Sequence, residues 1–166
     1  MDAAYNPAAW NSFFSAQVSA SAALTGLIFV AVSINLDKIV TGRILVSRSA
    51  LALVILLGVL LGSICCLVPG QPAFTLGCEL APLGAAVWLA GTILQHRASH
   101  NNPYVSRWQK LFHTVLTQLS MLPSVVAGAS LLLARGGGLY WLLAGSVFSF
   151  TAALIDAWVL LIEIQR

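Results

Sequence analysis

Five long apolar runs separated by short breaks leave this chain few ways to fold. They lie at roughly residues 12–36, 48–69, 73–95, 111–134 and 139–163. A helix needs about 20 residues, at about 1.5 Å each, to cross a hydrocarbon core of about 30 Å, and each run has that length. In lipid the backbone must satisfy its own hydrogen bonds, so runs of this length are helices. The spacing predicts an all-α integral membrane bundle of five transmembrane helices, a single transmembrane domain over residues 1–166. Composition excludes a soluble alternative. Charged residues make up 8% of the chain and hydrophobic residues 59%, whereas a soluble domain carries about a quarter charged residues.

Two of the breaks are tight. Pro69-Gly70-Gln71-Pro72 stops the second helix and starts the third, and Arg135-Gly136-Gly137-Gly138 separates the fourth from the fifth. The other two breaks carry positive charge. Lys38, Arg43 and Arg48 flank the first, Arg97, Arg107 and Lys110 the third, and Arg166 ends the chain, while Arg135 stands alone on the opposite side. Lys and Arg of short loops stay in the cytoplasm, which puts the amino terminus outside and the carboxyl terminus inside. Tyr5, Trp10, Tyr140 and Trp141 then form an outer aromatic belt, with Tyr104, Trp108 and Trp158 toward the inner boundary. The net charge of +3 sits in loops and at segment ends, a distribution that suits a lipid surface and not nucleic acid.

The first run, SAQVSASAALTGLIFVAVSIN, is apolar yet crowded with small residues. It has no basic residue before Lys38 and is too long for a signal core, so it is expected to remain as a helix. Ser12, Ser15, Ser19, Ala23 and Gly26 recur at three- and four-residue spacing and form one stripe. Small residues let helix backbones approach closely in lipid, so the stripe reads as a contact face. Gly58 and Gly62 repeat the device in the second helix, Ser124 and Gly128 in the fourth, and Gly145 and Ser149 in the fifth. Such faces serve either packing within one bundle or association with another membrane protein or a second copy.

An ionisable group at membrane depth is costly, and each one is a functional candidate. Asp156 and Glu163 lie about 10 Å apart on one face of the fifth helix, and Glu79 lies in the third. By depth, Asp156 shares a polar layer with Ser33, Asn35, Thr92, Gln95, His113, Thr117 and Gln118. The layer fits a proton or cation pathway through Asp156, Glu163, Glu79, Asn35 and Gln118. It also fits a structural cluster in which Asp156 accepts hydrogen bonds from Asn, Gln or Thr, and no repeated acidic pattern favours transport over it. Pro82 and Pro123 fall inside helices and free backbone carbonyls, either to frame a small outer vestibule or to adjust packing.

Cys65, Cys66 and Cys78 come to similar depth on the outer side, where a disulfide or soft-metal site fits geometrically, although buried cysteine is most often plain packing. The chain has no Gly-rich phosphate loop, HExxH pair or GxSxG elbow. His96, His100 and His113 gather around the third loop, which disfavours haem. No cofactor, metal or catalytic residue is expected.

The runs ASAALTGLIFVAVSINLDKI (Ala20 to Ile39) and IDAWVLLIEI (Ile155 to Ile164) resemble small, uncharacterised bacterial integral membrane proteins. The resemblance implies a multi-pass protein of the bacterial cytoplasmic membrane and no particular activity. The expected function is helix-to-helix contact, as a homo-oligomer or an accessory subunit. The alternative is a small proton or cation channel or transporter.

Overall fold

A computed structural model describes residues 3–34, 43–100 and 107–162. Its long helices are α1 (Asn11–Ile34), α2 (Arg43–Cys66), α3 (Ala73–His100), α4 (Arg107–Leu133) and α5 (Tyr140–Ile162). All five are long and apolar enough to cross a membrane, and the protein is a multi-pass bundle. The helices run longer at one end than the apolar runs suggest. α2 starts at Arg43, α3 continues to His100 and α4 begins at Arg107, because Arg, Lys and Gln are good helix formers and carry the helix past the end of the apolar run.

Consecutive helices are antiparallel neighbours. α4 packs chiefly against α3 and α5, while α2 packs against α3, α1 and α5. α1 rests mainly on α2 and less on α5. The ends of the bundle differ in chemistry. One, here the basic end, lies where α3 finishes and α4 begins, near Arg97, Arg107 and Lys110.

The other end is clasped by residues 3–10. Short 3-10 turns, Ala3–Tyr5 and Pro7–Trp10, bring the Ala4 carbonyl to the Leu139 amide at 2.8 Å and the Ala3 carbonyl to the Trp10 indole N–H at 2.9 Å. Trp10 also meets the Tyr140 ring edge-on, with centroids 4.9 Å apart. The clasp requires glycine at position 138: its φ is +52°, and any Cβ there would strike the Ala4 carbonyl. Below the clasp Phe14, Cys66, Leu76, Leu80, Leu131 and Leu139 close a buried cluster.

The tightest seam is between α3 and α4. Gly77, Gly84 and Gly91 repeat every seven residues along α3 and face α4. A Cβ on Gly84 would sit 3.0 Å from the Ser124 backbone, and one on Gly77 would sit 3.0 Å from the Leu132 amide. From the other side, a Cβ on Gly128 would lie 2.6 Å from the Ala81 amide. With no water-driven force between helices in lipid, this backbone approach supplies dispersion contact that larger side chains would prevent. Pro123 is accommodated in the same manner, its ring lying over Gly145 of α5.

Candidate functional site: a polar column between α4 and α5

On α4, His113, Thr117, Ser120 and Ser124 fall on one face at four-, three- and four-residue steps. On α5, Ser146, Ser149 and Asp156 also share one face, at three- and seven-residue steps. The two faces meet. Ser149 Oγ donates to the Ser120 carbonyl at 3.1 Å, and seven residues along each helix His113 Nε2 lies 2.9 Å from Asp156 Oδ1. Equal spacing on antiparallel helices, about 10 Å along each, makes one column of polar groups inside an apolar bundle.

Asp156 is 1% exposed and His113 is 22% exposed. The second carboxylate oxygen, Oδ2, is buried without a hydrogen-bond partner. In such a pair at the basic end, removal of one partner strands a buried polar group on the other. Of the groups in its layer, Asp156 therefore bonds to His113 and not to the Asn, Gln or Thr of the structural-cluster alternative. His113 belongs to the polar layer expected at the depth of Asp156 and not to the loop cluster with His96: α4 begins at Arg107, so His113 is more than one turn inside the helix.

Gln118 belongs elsewhere. Its carbonyl accepts from the Trp88 indole at 2.8 Å and its amide reaches Thr92 Oγ1 at 3.5 Å, which ties α4 to α3. Gln95 is buried with Nε2 unpartnered, and Ser33 is exposed and bonds back to the Phe29 carbonyl. Glu79 is exposed, outside the column and beside Cys65. Asn35 and Glu163 lie outside the described residues. Neither proline frames a vestibule with the other, since Pro82 is exposed and Pro123 is buried against α5.

The contact candidates divide into two groups. Gly58 and Gly62 are inside the bundle, facing Val87 and Leu80 of α3. Ser15, Ser19, Ala23 and Gly26 are all exposed, and a Cβ on Gly26 would meet nothing within 4 Å. α1 packs through the opposite stripe, Phe14, Gln17, Ser21, Ile28 and Ala31. In it Gln17 Oε1 accepts from Ser63 Oγ of α2 at 2.8 Å, a buried bond that sequence reading missed. The signal was present: Phe14, Gln17, Ser21, Leu24, Ile28 and Ala31 alternate three- and four-residue steps more regularly than the small-residue stripe does.

All three cysteines are free, with Cys66 buried, Cys65 half-buried and Cys78 exposed. Among the described residues no three His, Cys, Asp or Glu side chains gather as a metal site would require. No family model, curated protein or solved structure matches the chain.

Proposed function

We propose that the protein works by helix contact within a bacterial cytoplasmic membrane, pairing through the outer half of α1 with a second copy of itself. The supporting observation is the exposure of Ser15, Ser19, Ala23 and Gly26. Other helices present bulky side chains outward, such as Leu57, Leu61 and Ile64 on α2 or Leu119, Leu122 and Val126 on α4. A small-residue face leaves a shallow groove against which a second helix backbone fits, and a two-fold contact uses the same face twice. In this reading the basic end faces the cytoplasm and the clasped end lies outside. No chemical reaction is part of it. Ser19→Leu combined with Ala23→Leu, followed by native mass spectrometry in lipid nanodiscs, is the test: the oligomer should fall to monomer, and an unchanged distribution removes the reading.

A second reading is supported by the His113–Asp156 pair, with its unpaired Oδ2, at one end of the column. It makes the bundle a proton or cation pathway in which Asp156 is the obligatory acceptor and Glu79 and Gln118 take no part. Flux into liposomes that persists in Asp156→Asn would end it.

A further inference from the structure

All five helices converge on a cavity of about 40 Å³ in the middle of the bundle. It exists because serines and glycines face one another where larger side chains would have met. Its polar lining is Gln17, Ser63, Ser120, Ser124, Ser146 and Ser149, and no charged residue borders it.

The hydrogens of the five serines are already engaged. Ser63 donates to Gln17 Oε1, Ser120 to the Leu116 carbonyl, Ser124 to the Met121 carbonyl, Ser146 to the Leu143 carbonyl and Ser149 to the Ser120 carbonyl. Each hydroxyl oxygen then keeps lone pairs with no hydrogen to offer. The one donor left over is Gln17 Nε2, which is buried without a partner on a residue only 6% exposed. Turning the amide over exchanges the orphaned nitrogen for an orphaned oxygen and frees the Ser63 hydrogen, so one polar atom of Gln17 stays unpaired in either setting.

An occupant has to accept one hydrogen bond from Gln17 and donate others to serine oxygens. It has to be neutral, because an ion in this uncharged setting would lack a counterion. It also has to be small: at about 10–15 Å³ for each water, the cavity admits about three. Water meets all three requirements. We propose that the cavity is a binding site for a cluster of water molecules anchored on the Gln17 side-chain amide, a hydrated node in the middle of an apolar bundle. It lies on the same column as His113 and Asp156, about 10 Å from them along α5. It depends on neither the α1 contact nor an ion pathway.

The test is nuclear magnetic resonance of the full chain in nanodiscs, labelled with nitrogen-15 on glutamine side chains. Gln17→Met identifies the Gln17 signal by its disappearance. Magnetisation transferred from water should appear at the Gln17 amide and be lost in Ser146→Leu, whose side chain fills the cavity. A Gln17 signal with no transfer from water, or with transfer from acyl-chain protons instead, overturns the proposal. So does water transfer that survives in a folded Ser146→Leu protein. Should that variant fail to fold, the unmodified protein decides alone, since a dry Gln17 amide is already fatal.

Discussion

The α3–α4 seam and the outer half of α1 use the same small residues and meet opposite fates. In the seam, Gly77, Gly84 and Gly128 press against backbone of the neighbouring helix. On α1, Ser15, Ser19, Ala23 and Gly26 face outward, and nothing stands over Gly26. A stripe of small residues thus marks a helix ready for close approach without saying whether the approaching helix belongs to the same chain. The seam is complete within one copy, whereas the α1 stripe is uncovered in it.

Substitutions at matched positions break the comparison if it is mistaken. The largest effect is expected from Gly128→Leu, since even a Cβ would lie 2.6 Å from the Ala81 amide and backbone cannot yield as a side-chain tip does. Overpacking costs about 1–3 kcal/mol and occasionally more, and the upper end or loss of the fold is expected here, measured by unfolding in SDS titrations. His113→Leu comes next. It leaves Asp156 buried without its partner, a loss of about 3 kcal/mol by the usual cost of breaking such pairs, and the double variant with Asp156→Leu should recover most of it. A double variant no more stable than His113→Leu would show that the pair is not the source of the cost. Gly84→Ala is smaller, about 1 kcal/mol of destabilisation, as its methyl would lie 3.0 Å from the Ser124 backbone. Gly26→Ala should do the reverse: with open space around it, the better helix former is expected to stabilise the isolated chain by under about 1 kcal/mol. Destabilisation at Gly26 in the monomer would mean that the stripe packs internally after all.

How much of this was legible differs by level. The five helices follow from hydrophobic runs alone, because lipid admits few other backbone solutions. Helix ends were less legible: Arg43 and His100 look like loop residues by hydropathy, but charged side chains remain helical beyond an apolar run. On α1 two stripes compete. Ser15 and Gln17 are separated by about 200° around the axis, and a polar glutamine at a core position misleads any hydropathy count. The shared depth of His113 and Asp156 was legible, but their direct bond was not, because the partners are 43 residues apart and depth alone does not choose among the polar groups of one layer. The cavity had no linear signature at all. Its polar lining comes from four helices, from Gln17 and Ser63 to serines of α4 and α5, and no spacing within one segment records that they converge.

The claim that α1 is a face prepared for a second copy is tested most directly by the oligomeric state in lipid nanodiscs, read by native mass spectrometry for the unmodified chain and for Ser19→Leu with Ala23→Leu. The account predicts a dimer or larger closed assembly that becomes monomeric in the double variant, with SDS unfolding of the monomer unchanged. A protein that is monomeric from the outset, or an assembly indifferent to both leucines, would contradict it.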